Sequence, residues 1–354
     1  MSALRAEYKK FTFPFIKPMG TSRGVLFHRE TFILALHDDK GRVGFGECAP
    51  LSKLSFDDKP EFETFLKNVC LDLTAGCAID AFQLADWPAI RFGVETATLA
   101  LRRFHQSLFA TDFTRGLGTI PTNGLIAMAS PEEMLDQVFQ KVEAGFRCIK
   151  IKVGANDFDD ECRLLHEVRK RWAAGEIELR LDANGAFSKT DALEKLHVLA
   201  GFQVHSIEQP IRRGTWQEMA HICTRSPLPI ALDEELIGIH EGEEKRRLLE
   251  TIRPAFLILK PTLLGGFAAC QEWISLCESH GVGFWVTSIL ESNIGLNAIA
   301  QWTSTLSTSM TQGLGTGRLF SLNFELPITL RGEALHYAPG CGKNIESLSE
   351  LILR

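Results

Sequence analysis

The sequence predicts an α/β protein: a (β/α) TIM-type barrel, modified and (β/α)7β-like, preceded by an α+β N-terminal capping domain. From about Pro121 onward, short apolar runs are each followed by a helical stretch, which is typical of repeated βα units. The polar residues that end these runs recur at near-constant intervals, because 182 − 152 is 30, 208 − 182 is 26, 233 − 208 is 25, 260 − 233 is 27 and 288 − 260 is 28. The chain before Pro121 lacks this repeat.

The first part of the chain predicts a meander of strands followed by helices. The predicted elements are strands Tyr8–Ile16, Gly24–His37 and Arg42–Glu47, then helices Glu61–Leu73 and Arg91–Leu108. The stretch Lys17–Gly24, between the first two strands, is rich in small and polar residues. Both a mobile lid and an ordinary exposed connection are open for this stretch.

Eight apolar runs predict the strands of the barrel. They are Thr122–Ala127, Arg147–Lys152, Glu178–Asp182, Val204–Glu208, Pro229–Asp233, Phe256–Lys260, Gly283–Ser288 and, as the weakest, Met310–Thr316. A strand, a helix and two loops fill each interval, and eight such units close into a barrel. The tail from about Asn323 carries a strand-like Leu326–Leu330 and a helix-like Ile345–Leu353. We therefore expect a capping domain at 1–118, a barrel at 119–322, and a segment at 323–354 that returns to the capping domain.

The composition bounds the function. The 354 residues are 45% hydrophobic and 23% charged, as in ordinary globular proteins. The net charge of −6 argues against nucleic acid as a partner, because phosphate binding requires a concentrated basic surface. Nine cysteines, an odd number without a C-x-x-C pair, indicate reduced thiols. We see no signal peptide and no apolar run that could cross a bilayer, so we expect a cytoplasmic protein without a membrane partner; its oligomeric state stays open.

Three acids end consecutive apolar runs: Asp182, Glu208 and Asp233. In a barrel, the carboxyl ends of the strands meet at one face, where the catalytic residues lie. Three carboxylates brought together in a partly desolvated site would repel one another, and a bound dication removes that repulsion. Oxygen ligands without His or Cys favour magnesium, or manganese, over zinc. Any one of these acids alone is better explained as a helix cap, but three in successive units favour a metal site.

Two lysines, Lys152 and Lys260, end the second and sixth runs and so flank the three acids. A lone lysine at a strand end is usually a surface residue or an ion-pair partner. On either side of a dication, burial and positive charge would lower the lysine pKa and allow a neutral amine to act as a base. This arrangement suits removal of a proton from the carbon next to a carboxylate, because fixed positive charge meets the negative charge that develops.

Weaker candidates surround this group. Lys150 would tune Lys152 or form a plain ion pair, and Arg180 would orient a ligand or form a buried ion pair. Asn184 would hydrogen-bond near the metal or simply form a turn with Gly185, while Glu234 is expected behind the ligands rather than among them. Further candidates for lining the substrate pocket, each also explained by an ordinary turn or helix start, are Ser288, Glu291, Ser292, Gly315 and Thr316.

Several of these motifs together resemble a known family. Lys150-Ile151-Lys152, Asp182-Ala183-Asn184-Gly185, Glu208-Gln209-Pro210, Asp233-Glu234-Glu235 and Lys260-Pro261 resemble the muconate-lactonising branch of the enolase superfamily, over nearly the whole chain. Within that branch, the segments at 120–126 and 313–319 resemble the o-succinylbenzoate synthases of menaquinone biosynthesis. The resemblance implies a magnesium-dependent hydro-lyase that dehydrates 2-succinyl-6-hydroxy-2,4-cyclohexadiene-1-carboxylate, with Lys152 as base and then acid, and Lys260 as a protonated electrostatic partner.

Two other functions compete. An N-succinylamino acid racemase or a dipeptide epimerase would use the same pair of lysines on opposite faces of one carbon. Dipeptide epimerases typically carry a D-x-D pair in the eighth-strand segment, where this chain has Gly315-Thr316-Gly317. A non-catalytic metal-binding barrel would be expected to lose a ligand or a lysine, and all five positions are present.

Overall fold

The computed structural model describes residues 4–21, 24–77, 83–103, 107–340 and 350. Within these ranges, no helix combines the length and the apolar character needed to span a bilayer.

An antiparallel sheet opens the fold, in the order β1 (Arg5–Thr21), β2 (Gly24–His37) and β3 (Val43–Cys48). β1 continues through Lys17, so the predicted loop Lys17–Gly24 is wrong for the residues up to Thr21. The pairing of β1 with β2 is irregular between Pro14 and Met19 and then resumes. Beyond its bond to β2, β1 also meets a distant segment, since the Ile16 amide donates to the Leu319 carbonyl at 2.9 Å. This long-range partner supports extended backbone where the local sequence suggests a loop.

Helices α1 (Phe62–Thr74) and α2 (Pro88–Arg102) pack on this sheet. α2 begins before the predicted Arg91, because a proline at the first helical position has no N–H to satisfy and the buried Asp57 carboxylate accepts from the Ala89 amide at 2.8 Å. The helix lies close to β3: a Cβ at Gly46 would approach the Gly93 carbonyl to within 1.9 Å. Glycine is therefore required at this crossing.

Repeated βα units build the second body, as predicted. Its strands are β4 Thr119–Pro121, β5 Gly124–Ile126, β6 Cys148–Lys152, β7 Glu178–Asp182, β8 Ser206–Glu208, β9 Ile230–Leu232, β10 Phe256–Leu259 and β11 Gly283–Val286. Its helices are α3 Pro131–Glu143, α4 Phe158–Arg171, α5 Ala192–Ala200, α6 Trp216–Arg225, α7 Gly242–Ile252, α8 Pro261–Leu264, α9 Gly266–His280 and α10 Asn293–Thr303, with a 3-10 turn at Glu234–Leu236. Local signals set several boundaries, such as the capping box of Ser130 and Glu133 that starts α3.

β5 to β11 form one parallel sheet in chain order. The eighth predicted run, Met310–Thr316, forms no strand in the described structure. Instead, Gln312 bridges to Thr122 and Gly313 bridges to Thr287, both in parallel. These two bridges connect the first and seventh strand positions, so the sheet curls into a barrel whose eighth position is reduced to two residues.

The chain after the barrel forms a hairpin of β12 (Ile328–Arg331) and β13 (Ala334–Tyr337), and β13 pairs with β4. The Phe324 ring contacts Phe11 and Phe13 of β1 edge-on, with ring centroids 5.3 and 5.4 Å apart, and the return of segment 323–354 to the capping domain stays a prediction. The predicted helix at Ile345–Leu353 lies outside the described residues, apart from residue 350. The division at 118 and 322 remains a prediction.

Candidate active site

Five charged side chains stand at the carboxyl ends of five consecutive strands, β6 to β10. The strand register brings Lys152 opposite Asp182, and Asp182 opposite Glu208. Asp233 directly follows β9, and Lys260 directly follows β10. Parallel strands in this register place equivalent positions at one rim of the barrel. The charged residues that end the apolar runs therefore lie close together.

The acids and lysines are in direct contact. Lys150 Nζ lies 2.9 Å from Asp182 Oδ2 and 2.7 Å from Glu208 Oε2. Lys260 Nζ lies 2.5 Å from Asp233 Oδ2. The three acids are at most 3% exposed, so their charges are compensated almost entirely by these ammonium groups.

Glu208 carries a buried carboxylate oxygen that these contacts leave without a donor. Its Oε1 atom is buried and has no hydrogen-bond partner among the described atoms. A buried carboxylate oxygen without a donor is costly, and a cation is a suitable partner for it. Within the described ranges, however, no three His, Cys, Asp or Glu side chains are already gathered into a metal-binding cluster. Lys150 joins Asp182 to Glu208, and Lys260 contacts Asp233, so the acids meet through these ammonium groups; their role as metal ligands stays a prediction.

The electrostatics of this group are strongly coupled. Burial raises the pKa of Glu208 to about 8, and the neighbouring Asp182 and Asp233 carboxylates act in the same direction. Burial by itself lowers the pKa of Lys150, but the charges of Asp182 and Glu208 raise it well above its usual range. The pKa of Lys260 is likewise raised, mainly by Asp233 against the effect of burial. The sequence predicted that the pKa of Lys260 would be lowered. That prediction assumed a dication beside the amine, whereas among the side chains alone the neighbour of the amine is the Asp233 carboxylate.

Lys152 has a different partner from the other two lysines. Its Nζ atom donates to Asn184 Oδ1 at 2.5 Å and lies 3.5 Å from Asp182 Oδ2. The Asn184 amide nitrogen in turn donates to Glu234 Oε1 at 3.2 Å. Asn184 also adopts a positive φ of 44° in the turn before Gly185. The turn interpretation of Asn184 therefore holds, and its side chain also contacts the Lys152 amine; a hydrogen bond near the metal stays a prediction.

Gln209 is a residue that the sequence reasoning quoted only as part of a motif. It is 1% exposed, and its Oε1 atom accepts from the Asp233 and Glu235 amides at 3.2 and 3.3 Å. Its Nε2 atom donates to Glu235 Oε2 at 3.0 Å. Through these hydrogen bonds, Gln209 connects the end of β8 to the end of β9 and positions Asp233. Its position directly after Glu208 was the available signal.

A cavity of about 370 Å³ opens above these side chains. Lys150, Lys152, Asp182, Asp233 and Lys260 form part of its wall. The rest comes from the capping domain, the seventh strand end and the reduced eighth position. The lining residues that sequence reasoning missed include Ile16, Leu51, Leu54, Ile289 and Leu290. No local pattern marks them, because most face the cavity only through contacts between distant segments.

The weaker candidates divide into two groups. Ser288, Gly315, Thr316 and Glu234 line the cavity, and Ser288 Oγ lies 2.7 Å from Thr316 Oγ1. Ser292 instead caps α10 by accepting from the Ile294 amide at 3.2 Å. Together with Glu291, it is fully buried away from the cavity wall. The structure favours the ordinary helix-start interpretation for Ser292, whereas the Glu291 carboxylate accepts from Thr262 Oγ1 and the Ile289 amide.

Arg180 also lies away from the cavity wall. Its Nε atom pairs with Glu178 at 2.7 Å, and its guanidinium lies 4.3 Å from the centroid of the Trp285 ring. Arg180 lies two residues before Asp182 on the same strand and is therefore deeper in the barrel. There its side chain packs against Trp285 and does not line the cavity. The structure therefore shows the ion pair that was the alternative interpretation of Arg180. Lys150 likewise forms the ion pairs that were its alternative.

The capping hairpin borders the same cavity. Residues 16–20 of β1 line it, and Met19 is 7% exposed. Leu51 and Leu54, which follow β3, line it as well. The stretch predicted as either a lid or an exposed connection is therefore part of the cavity wall as far as residue 20.

The chain belongs to the enolase C-terminal domain-like family, whose model matches residues 133–346. This confirms the enolase-superfamily resemblance and the predicted fold class. The chain is 41% identical to the o-succinylbenzoate synthase of Desulfotalea psychrophila, over 95% of this chain and 99% of that one. The crystal structure of MenC from the same organism superimposes with a TM-score of 0.84 at 38% identity, covering 95% of this chain and all of the other. The L-Ala-D/L-Glu epimerase of Bacillus subtilis is more distant, at 25% identity over 85% of each chain.

Proposed function

We propose that this chain is an o-succinylbenzoate synthase, which removes water from 2-succinyl-6-hydroxy-2,4-cyclohexadiene-1-carboxylate in menaquinone biosynthesis. The near-full-length similarity to a synthase at 41% identity, against 25% for the epimerase, supports the predicted hydro-lyase over the competing functions. The observation in the structure that carries the proposal is the placement of Lys152 and Lys260. Lys152 ends β6 and Lys260 directly follows β10, with three strands between them, and both residues line one cavity.

Lys152 acts first as the base. Its amine takes the proton from the carbon next to the substrate carboxylate, and then returns that proton to the departing hydroxyl on the same face, so that water leaves and the ring becomes aromatic. Asn184 accepts a hydrogen bond from this amine and holds it in place. Because the same nitrogen serves both steps, the elimination is syn.

Lys260 stays protonated throughout. Its ammonium is held by Asp233, and its charge stabilises the negative charge that develops on the substrate carboxylate oxygens.

Asp182, Glu208 and Asp233 would hold magnesium, or manganese, and the buried unpaired Oε1 atom of Glu208 supports this assignment. When bound, the ion supplies positive charge to the substrate carboxylate. Binding requires Lys150 and Lys260 to yield some of their contacts with these acids. We expect a cytoplasmic enzyme, without nucleic acid or membrane partners.

The test is turnover of the hydroxylated succinyl-cyclohexadiene carboxylate by the purified protein, followed as aromatisation by absorbance, with and without magnesium. We expect magnesium-dependent turnover in the wild type, and a loss of about 10³-fold in Lys152→Ala. An unshifted circular dichroism spectrum controls for folding. Wild-type protein that fails to form the aromatic product would refute the synthase assignment.

Racemisation of N-succinylamino acids is the second candidate, because both lysine amines face one cavity. Incubation of an N-succinylamino acid in deuterated solvent distinguishes it. Rapid exchange and racemisation without any dehydration activity would favour the racemase, whereas a non-catalytic barrel would do neither.

A further inference from the structure

The cavity holds more positive charge than the proposed chemistry uses. Besides the three lysines at the strand ends, Lys17, Lys141 and Arg318 line it. Lys141 projects from α3, and its Nζ atom lies 5.1 Å from the centroid of the Phe146 ring, which is an interaction of its own. Lys17 comes from the capping hairpin, and Arg318 from the segment after the eighth barrel position.

Lys17 and Arg318 belong to two segments that pair antiparallel just before Lys17 and just after Arg318. The Ser321 amide donates to the Pro14 carbonyl at 2.9 Å, and the Ile16 amide donates to the Leu319 carbonyl at 2.9 Å. Phe15 forms an antiparallel bridge with Phe320. In each of these pairs the two residue numbers add to 335, and 17 and 318 also add to 335. Continued by one pair beyond Ile16 and Leu319, this register would bring Lys17 opposite Arg318, and both residues line the cavity.

Two like charges in opposed cross-strand positions destabilise a pairing. Across the residues that the structure describes, no salt bridge joins either cation to an acid, although other cations of the same hairpin have one, such as Lys10 with Glu30 at 3.1 Å. Both side chains are exposed at the rim of the cavity. An anion between them would relieve the repulsion and join the capping domain to the barrel.

The proposed substrate carries such an anion. It has two carboxylates, of which the ring carboxylate belongs beside the reacting carbon, near Lys152 and Lys260. The carboxylate at the end of the succinyl group needs a separate counter-charge. The strand-end ammonium groups of Lys150 and Lys260 are already in contact with Asp182, Glu208 and Asp233. The hydroxyls of Ser288 and Thr316 can donate hydrogen bonds but carry no charge.

We propose that Lys17 and Arg318 together form the subsite for the second, distal carboxylate of a dicarboxylate substrate. This inference rests on the proposed function for the identity of that substrate, but not on catalysis. A guanidinium and an ammonium on two separate segments bind one carboxylate, so occupation of the subsite ties the capping hairpin to the barrel.

The test compares two ligands by calorimetry: o-succinylbenzoate, and 2-butanoylbenzoate, in which a methyl group replaces the distal carboxylate. Wild-type protein with magnesium should bind the dicarboxylate more tightly, by about tenfold or more, as expected for charge-assisted hydrogen bonds. Lys17→Ala and Arg318→Ala should each remove most of this preference while leaving the affinity for 2-butanoylbenzoate unchanged. Arg318→Lys should retain part of the preference, because it keeps the charge.

Lys9→Ala and Arg331→Ala serve as matched controls, since each removes one cation from a strand position that does not line the cavity. In turnover assays, the two cavity variants should raise KM with a much smaller change in kcat. Equal binding of both ligands by the wild type, or a parallel loss of both in the variants, would overturn the subsite. Because the affinity ratio needs no turnover, a protein that fails to dehydrate the diene but keeps this preference would refute the synthase and not the subsite.

Discussion

Two regions of this protein bury several charged side chains, and they differ in how those charges are satisfied. One is the group at the strand ends, where Lys150 and Lys260 neutralise three acids. The other lies between the capping sheet and α10. There, Glu47 is fully buried and its two oxygens accept from Thr31 Oγ1, the amide and hydroxyl of Ser292 and the Gly295 amide, at 2.6 to 2.9 Å.

Arg29 completes the second region. It donates to the carbonyls of Glu30, Ala49, Pro50 and Leu290 at 2.6 to 3.3 Å. Leu290 lines the cavity with a positive φ of 69°, so Arg29 holds a strained residue in place. Most of the partners in this region are backbone groups, which cannot exchange for a ligand. At the strand ends the partners are mobile side chains, and Glu208 keeps one unpaired oxygen. Between these two regions, the charges that serve the structure are satisfied mostly by the backbone, and the charges at the strand ends are satisfied by one another.

The largest effect is expected from Lys260→Met. Loss of the ammonium should reduce turnover by about 10³-fold, because the developing negative charge loses its fixed partner. Without magnesium the variant should also be less stable, since the buried Asp233 carboxylate loses its counter-charge. Adding Asp233→Leu should restore stability in urea unfolding without restoring turnover. Recovery of both together would contradict the division between the two regions.

Glu47→Ala should have the next largest effect, as a loss of stability. Four donors lose a charged acceptor, and we expect the free energy of unfolding to fall by about 3 kcal/mol or more. Glu47→Gln should lose less, because the amide oxygen still accepts. Urea unfolding measures both. If Glu47→Ala is as stable as the wild type, the backbone contacts of this carboxylate do not hold the two domains together.

Glu291 should make stability depend on pH. Burial raises its pKa from 4.5 to about 7, and the nearby Glu47 charge adds to this. Between these values the folded state binds more protons than the unfolded state, so stability falls as the pH rises from about 4.5 through about 7. The shift of 7 − 4.5 = 2.5 corresponds to a loss on the order of 3 kcal/mol at most. In Glu291→Gln, the difference in urea midpoint between pH 5 and pH 8 should shrink; an unchanged pH dependence would assign it to other groups.

Arg180→Met should change turnover least, by less than about threefold, because the guanidinium lies away from the cavity. It should cost roughly 1 to 2 kcal/mol of stability through the lost bond to Glu178 and the lost stacking on Trp285. Steady-state kinetics and urea unfolding on the same preparation check the two effects. A large rise in KM with unchanged stability would restore the ligand-orienting role.

The sequence by itself determined the repeated βα architecture and the identity of the charges at the strand ends. This was possible because each βα unit carries a local pattern, an apolar run that ends at a polar residue. In a parallel barrel, the carboxyl ends of all strands lie at one rim, so these polar residues come together there. The resemblance to the enolase superfamily then implied the roles of Lys152, Lys260 and the three acids. The similarity to known proteins confirmed the family.

Only the tertiary structure decided which side chains face the cavity and which are locked elsewhere. Arg180 and Asp182 look equivalent along β7, yet one stacks on Trp285 and the other lies at the cavity. The extended course of β1 past residue 17 and the capping of α10 by Glu47 depend on partners hundreds of residues away, such as Ser292 at a separation of 245. No local pattern encodes such a pairing, because its free energy arises only once the two distant segments have been brought together by the rest of the fold.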